Sequence, residues 1–240
     1  MKILVTGGLG YIGSNIVLNL LKKKHQVLVV DNLANSKRST VKKILKLANT
    51  NFKFVYSDCK NKKKIFKIFN SFKPSLVIHL AGLKSVADSV KNPNLYFTEN
   101  FLSAENIFLA MQKFKVKKLI FSSSATVYGK PKYLPIDENH PIQASNPYMS
   151  SKVLAEEICS QICRIKDIPL IILRGFNIYG SNTIPGRLIS DLLIAYIKNQ
   201  PLAINDPAPK RDYLYVKDFN DLILKIVLKT PIKTGVYNVG

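Results

Sequence analysis

Along most of the chain, short apolar runs alternate with longer stretches in which apolar residues recur at helical spacing. Residues 2–6, Lys2-Ile3-Leu4-Val5-Thr6, read as a buried parallel strand, and residues 11–23 read as an amphipathic helix. Residues 26–30, 52–56, 76–80, 118–122 and 170–173 repeat the strand pattern, separated by helical segments around Ile65, Ala104 and Leu154. Such alternation predicts an α/β fold built on a doubly wound parallel sheet. Up to residue 180 the pattern describes one domain. After Ser181 it loosens, and a helix over residues 184–198 is expected to begin a small second lobe, 181–240, interleaved with the sheet and covering a substrate. Two proline-bearing stretches, 133–147 and 201–209, break the pattern as loops.

In a doubly wound sheet, ligands bind beyond the carboxyl ends of the strands. Asp31, Asp58, Ala81-Gly82-Leu83-Lys84, Ser122-Ser123-Ser124 and Gly175-Phe176-Asn177 all fall there. The first strand runs into Gly8-Leu9-Gly10-Tyr11-Ile12-Gly13. A lone Gly-x-Gly-x-x-Gly is weak evidence, but between a strand and a helix it acquires a mechanism. Gly8 makes the tight turn, Gly10 lets backbone approach a pyrophosphate, and Gly13 lets the helix pack closely, with the phosphates at its N-terminus. Asp31 ends the second strand, where such a fold sets a carboxylate on the adenosine ribose hydroxyls. A carboxylate there repels a 2′-phosphate, so NAD is expected rather than NADP. Lys37 and Arg38, just beyond, are the counter-argument.

The chemistry is carried by Ser124, Tyr148 and Lys152. Tyr148-Met149-Ser150-Ser151-Lys152 opens a helix behind Asn146-Pro147, and the i, i+4 spacing puts phenol and ammonium on one face. A tyrosine is a poor base at neutral pH, but a neighbouring lysine cation favours its phenolate. Ser124, at a strand end, can donate to a developing carbonyl oxygen or relay its proton to Tyr148. Taken with the glycine turn and Asp31, the trio points to nicotinamide-dependent chemistry on an alcohol.

Composition alters this picture little. The 240 residues, 47% hydrophobic, suffice for a substantial core. A formal net charge of +21 would ordinarily suggest nucleic acid as a partner. The charge is mostly lysine and dispersed, with arginine only at 38, 164, 174, 187 and 211, so a solvated basic surface is expected and nucleic-acid binding is not. Cys59, Cys159 and Cys163 form no C-x-x-C pair, which supports neither a disulfide framework nor a zinc site and suits a reducing cytoplasm. His25, His79 and His140 have no metal spacing, and His79, in an apolar strand, reads as a hydrogen-bonded core histidine. No signal peptide opens the chain and no apolar run approaches a membrane span, so a soluble protein is expected.

At this level of detail the chain resembles the extended short-chain dehydrogenases/reductases, the NAD-dependent nucleotide-sugar epimerases and dehydratases, over essentially its whole length. The resemblance rests on residues 6–14 (Thr-Gly-Gly-Leu-Gly-Tyr-Ile-Gly-Ser), Asp31-Asn32-Leu33, residues 81–84, residues 122–129 (Ser-Ser-Ser-Ala-Thr-Val-Tyr-Gly), residues 148–152, residues 174–177 and Arg211-Asp212-Tyr213. It implies a Rossmann fold with a small C-terminal substrate lobe, incomplete where the chain stops at Gly240. By resemblance, Gly7, Gly10, Tyr11, Ile12, Gly13, Asp31, Asn32, Asn35, Ser36, Asp58, Cys59, Leu80, Ala81, Gly82, Lys84, Asn100, Tyr148 and Lys152 hold NAD. Lys84, Ser124, Thr126, Tyr148, Asn177, Ala203, Ile204 and Arg211 meet a nucleotide sugar, with Asn177 and Arg211 near its pyrophosphate and 203–204 near its base.

The implied activity is 4-epimerisation of a UDP-hexose, of the UDP-glucose/UDP-galactose type. Tyr148 takes the 4-hydroxyl proton through Ser124, C4 is transiently oxidised by NAD, the 4-keto sugar turns over, and hydride returns to its other face. No metal is called for. The dehydratase branch carries an Asp-Glu pair directly after its equivalent of Ser124, and this chain has Ala125-Thr126, which removes the acid and base of elimination. UDP-glucuronate epimerases and decarboxylases remain open, as does an NAD-binding protein that has lost turnover. Three departures bear on specificity: Gly175 in place of an aromatic, residues 101–104, and the segment 206–210 without its usual glycines. A homodimer through the 94–114 and 145–164 helices is implied by resemblance.

Overall fold

The computed structural model describes residues 1–181, 183, 186–202, 204, 208, 210–229 and 233–240. Seven parallel strands form one sheet: β1 (Lys2–Thr6), β2 (Gln26–Asp31), β3 (Lys53–Tyr56), β4 (Leu76–His79), β5 (Leu119–Ser124), β6 (Leu170–Gly175) and β9 (Gly235–Val239). Their order is β3-β2-β1-β4-β5-β6-β9, with β7 (Asn177–Tyr179) and β8 (Tyr213–Tyr215) paired separately. The helices are α1 (Tyr11–Lys22), α2 (Ser39–Ala48), α3 (Lys62–Phe72), α4 (Val86–Lys91), α5 (Pro93–Tyr96), α6 (Ser103–Lys113), α7 (Pro147–Ile165), α8 (Leu188–Ile197) and α9 (Val216–Leu228). A π-helical turn, Phe97–Leu102, joins α5 to α6.

Strand residues alternate between two apolar layers, as the period of two requires. In β1, Leu4 joins Ile65 and Phe69 of α3, Phe108 of α6 and Cys159 of α7 in one layer, while Ile3 and Val5 join Ile16 and Leu20 of α1 and Phe219 and Ile223 of α9 in the other. Both faces are covered, which explains why the strands read as continuous apolar runs. His79 is buried between the layers, its Nδ1 2.6 Å from Thr6 Oγ1 and its ring stacked on Phe121, the core histidine expected from sequence. Burial drives its pKa down to about 3, so it stays neutral.

Strand order reverses between β1 and β4, and a crevice opens there at the carboxyl ends. Two strands run past their expected ends, β5 to Ser124 and β6 to Gly175, and those two residues pair in register. Ile178 packs over Gly175, where a β-carbon would lie 3.3 Å from its Cδ1, so the space of the missing aromatic is partly taken from the next strand. The expected second-lobe helix begins at Leu188; residues 184, 185 and 206 lie outside the described residues. The chain then returns through β8 and α9, and β9 closes the main sheet beside β6.

Candidate active site

The glycine turn is locked by backbone proximity. A β-carbon at Gly7, whose φ is +66°, would come within 2.8 Å of Ala81 N, and one at Gly13 would run into the Gly7 carbonyl and lie 2.7 Å from Gly8 Cα. The turn forms the floor of a cleft of about 800 Å³ that runs along the strand ends. Gly7, Gly10, Tyr11, Ile12, Gly13, Asp31, Asn32, Asn35, Ser36, Asp58, Cys59, Leu80, Ala81, Gly82 and Lys84 all line it.

At one end Asp31 is buried and organises the wall. Its Oδ2 accepts from Leu9 N at 2.9 Å, and its Oδ1 accepts from Leu33 N and Ser36 Oγ, each at 2.9 Å. One lone pair of Oδ2 is left for a further donor. Asn32 donates to Asp58 at 3.3 Å, and Lys60 N donates to the other Asp58 oxygen at 2.8 Å. Cys59 is buried; burial, then Asp58 and Asp31, raise its thiol far above the ordinary value, so it serves as an apolar wall. Lys37 also lines the cleft, beside Ser36.

Asn100 lies beneath the middle of the cleft and does not line it. Its Oδ1 accepts from Leu83 N at 2.7 Å, and its Nδ2 donates to Leu83 O and to Ser151 Oγ, at 3.1 and 2.9 Å. Ser151 in turn donates to the Tyr148 carbonyl at 2.7 Å. Asn100 therefore ties the 81–84 turn to the first turn of α7.

That first turn is set by Asn146, whose side chain accepts from Met149 N at 3.0 Å, followed by Pro147 at a position that needs no donor. Tyr148 is thereby aimed at the end of β5. Its phenol faces the hydroxyls of Ser124 and Thr126, while Thr126 Oγ1 donates to Ser124 Oγ at 2.9 Å. Burial raises the Tyr148 pKa; Ser124 and Thr126 pull it down, and the cation that acts on it is Arg187.

The pairing expected from the i, i+4 spacing differs in detail. Lys152 is buried, donates to the Ser122 carbonyl at 3.1 Å and sits 5.5 Å from the centre of the Phe121 ring. Burial pulls its pKa to about 8, against a smaller upward pull from Glu156. Lys152 thus points beneath the 81–84 turn: a β-carbon on Gly82 would lie 3.5 Å from its Nζ. Spacing put the two groups on one face but could not reveal that strand carbonyl.

The outer candidates are more loosely gathered. Asn177 donates through backbone and side chain to Asp212 O, at 3.1 and 2.9 Å, next in sequence to Arg211. Arg211 and Ile204 are exposed, and Ala203 lies outside the described residues. Sequence reasoning passed over Arg187, which lines the cleft, and Glu156, which anchors α7 from below. Among the described residues, no group of three His, Cys, Asp or Glu side chains could hold a metal ion, and no helix is long and apolar enough to cross a membrane.

A seven-stranded parallel sheet with a glycine turn, a carboxylate closing β2 and a Tyr-x-x-x-Lys helix beside a serine-bearing strand defines a dinucleotide-dependent enzyme of the short-chain dehydrogenase/reductase class. Within it, the chain belongs to the NAD dependent epimerase/dehydratase family, whose profile matches residues 3–240. A UDP-glucose 4-epimerase of Cyamopsis tetragonoloba is 37% identical over 263 residues, 99% of this chain and 75% of the relative. The Bifidobacterium longum UDP-glucose 4-epimerase, solved with NAD+ and UDP, superposes with a TM-score of 0.89 at 31% identity, over 100% of this chain and 78% of that one. The Thermotoga maritima enzyme, solved with UDP-glucose, gives 0.92 at 29% identity, over 100% and 77%. The chain thus spans about three quarters of the length of these relatives. The cleft fits NAD: the turn has no room for β-carbons, and the buried Asp31 has a free lone pair in the wall.

Proposed function

We propose that this chain is an NAD-dependent nucleotide-sugar 4-epimerase acting on UDP-glucose and UDP-galactose. The observation that carries this is the Ser124–Thr126–Tyr148 hydroxyl cluster, set at the end of β5 beside a cleft that fits NAD. Gly7, Gly10, Tyr11, Ile12 and Gly13 would receive the cofactor diphosphate, Asp31, Asn32, Asn35, Ser36, Asp58 and Cys59 the adenosine, and Leu80 to Gly82, Lys84 and Lys152 the nicotinamide half. Bound NAD supplies a reversible two-electron acceptor for the sugar's C4.

The protein's own residues move the proton. Tyr148 takes it from the 4-hydroxyl, with Ser124 as relay, and gives it back after the keto sugar has turned over. Thr126 holds Ser124 in position and meets the sugar, while Asn100 fixes the first turn of α7 under Tyr148. Asn177, from the first domain, with Ala203, Ile204 and Arg211 of the lobe that begins near residue 181, would hold the UDP portion. Elimination is disfavoured because Ala125-Thr126 offers no carboxyl group after Ser124.

We also infer a homodimer working in a reducing cytoplasm. Val90, Leu95 and Leu154 are exposed apolar residues on the α4, α5 and α7 helices, and all three cysteines are free and buried. Light scattering of the purified chain at about twice the monomer mass supports the dimer; monomer mass removes it.

Proton NMR of the protein incubated with NAD and UDP-galactose, UDP-N-acetylglucosamine or UDP-glucuronate tests the activity. A C4 epimer of UDP-galactose that disappears in Tyr148→Phe supports the proposal. Conversion of UDP-glucuronate alone would replace the substrate, and no conversion despite bound NAD would remove the epimerase.

A further inference from the structure

The positive charge expected to be dispersed concentrates at one edge of the sheet. Residues 32–75 carry twelve lysines and arginines and one acid, Asp58, which puts more than half of the net +21 in under a fifth of the chain. These residues build α2, β3 and α3. β3 is the outermost strand, paired with β2, and is flanked on one face of the sheet by α2 through Ile44 and on the other by α3 through Ile65 and Phe69. Charge therefore wraps a strand edge from both sides, with Lys53 on the strand itself. Lys60 is paired with Asp58 and Glu99. Lys53, Lys62, Lys63, Lys64, Lys67 and Lys73 are exposed, and none of the described carboxylates forms an ion pair with them.

For the protein alone this arrangement is unfavourable. The N-terminus of a helix carries a partial positive charge, yet Lys62, Lys63 and Lys64 open α3 with no acid in its first turn, and the first turn of α2 has none either. Proteins break such local rules mainly at functional sites. A polyanion reverses the cost. Arg38 is the sole guanidinium of the group. A flexible ammonium follows a fluid layer of anionic headgroups, whereas the fixed phosphates of a nucleic acid are held better by guanidinium forks. The charge also surrounds a protruding edge, which a broad surface meets more readily than a strand of phosphates does. Tyr56, 61% exposed at the end of β3, adds an amphipathic ring: Lys64 Nζ lies 5.9 Å from its centre and donates to the Tyr56 carbonyl at 2.6 Å. Tyrosine beside lysine suits the headgroup level of a bilayer.

We propose that the α2–β3–α3 edge docks the protein onto a bilayer rich in anionic lipids, as a peripheral contact that needs no membrane span. Lys62, Lys63, Lys64 and Lys67 do not line the cleft, so the docking surface stands apart from the chemistry proposed above.

Co-sedimentation with vesicles tests it. The proteins are the native chain, Lys62→Gln/Lys63→Gln/Lys64→Gln/Lys67→Gln at the edge, and a control that removes four exposed lysines elsewhere, Lys91→Gln/Lys117→Gln/Lys198→Gln/Lys225→Gln. Native protein should bind phosphatidylcholine vesicles containing about one third phosphatidylglycerol, ignore pure phosphatidylcholine, and come off at about 1 M salt. The edge variant should bind the anionic vesicles at least roughly 100-fold more weakly, and the control within about threefold of native. A second measurement uses native protein alone, so it stands even if the edge variant folds poorly: on anionic vesicles, amide exchange should slow over residues 53–67 and not across the rest of the surface. Equal weakening in the two variants, or protection spread evenly, would assign binding to total charge and overturn the proposal. Native protein that leaves anionic vesicles unbound overturns it too, and retention on single-stranded RNA in that case would give the edge to nucleic acid.

Discussion

Arg174 and Glu156 form a buried two-pronged ion pair beneath the catalytic helix, with Nη2 to Oε2 at 2.6 Å and Nε to Oε1 at 3.2 Å. Glu156 stands one helical turn after Lys152 and also accepts from Ser123 of β5. The other arm of Arg174 donates to Tyr128 OH at 2.9 Å, which donates to Asn238 Oδ1 at 2.7 Å. One buried network thus joins β5, β6, β9 and α7. Buried pairs are costly to break because one charge is left without its partner. Glu156→Gln should destabilise the fold by about 3–5 kcal/mol. At a typical 2–4 °C per kcal/mol for this size, the melting temperature should fall by roughly 10 °C. A melt that shifts by only a degree or two would mean that the network relaxes around the change.

Tyr148→Phe keeps the ring packed against Tyr96, 6.3 Å away, and removes only the hydroxyl. Turnover should fall by roughly 100- to 10,000-fold with the melt nearly unchanged. Ser124→Ala, which removes the relay and one partner of Thr126, should lose less. Equal activity in native and Tyr148→Phe protein would place the proton transfer elsewhere.

Gly13→Ala puts a β-carbon against the Gly7 carbonyl, in backbone that cannot give way as a flexible side chain would. The purified variant should contain little NAD and melt several degrees lower. Full NAD content in Gly13→Ala would show that α1 can slide away from the turn.

Asp31→Asn replaces an acceptor that serves Leu9 N, Leu33 N and Ser36 Oγ with a group that is half donor. NAD affinity should fall by roughly tenfold or more, and the preference for NAD over NADP should narrow because the repulsion of a 2′-phosphate is gone. Binding titrations with both dinucleotides measure it; an unchanged ratio would mean that the Asp31 charge does not set the discrimination.

The buried Lys152 carries a signature in pH. Its folded pKa of about 8 lies below its unfolded value of 10.5, so between those values the unfolded chain binds more protons and folding is favoured as pH rises. Relative to Lys152→Met, the native protein should gain about 2 kcal/mol between pH 8 and pH 10 in urea denaturation. Lys84 titrates in both proteins and cancels. A difference that stays flat would mean that water reaches the ammonium.

How much of this was legible in the sequence follows from locality. The strands β1 to β6 announce themselves because burial on both faces leaves unbroken apolar runs, and the glycine turn and Asp31 sit at fixed distances from them. Tyr148 and Ser124 were legible for the same reason: each lies within a few residues of a recognisable element boundary. Beyond Ser181 the elements depend on distant partners. β9 is a strand only because β6 offers an edge, and α9 is fixed by its packing on α1. Arg187 carried no local signal, since an arginine before a helix is ordinary until its reach to Tyr11 is known. Glu156 carried no local signal either, and the bonds by which Asn100, expected near the cofactor, also ties the 81–84 turn to α7 join residues far apart in sequence.

The position of β9 at the sheet's edge has a consequence for the order of assembly. Asn238 supplies the acceptor for Tyr128 and donates to Ile136 O, so the loop preceding the catalytic helix is fastened by a residue made more than a hundred positions later. During synthesis the cofactor half can gather around β1 to β5 from the contacts already made, whereas the chemical half must wait for the strand from Gly235 to Val239 to dock beside β6. A nascent chain would therefore acquire the capacity to hold NAD before it acquires a settled place for Tyr148.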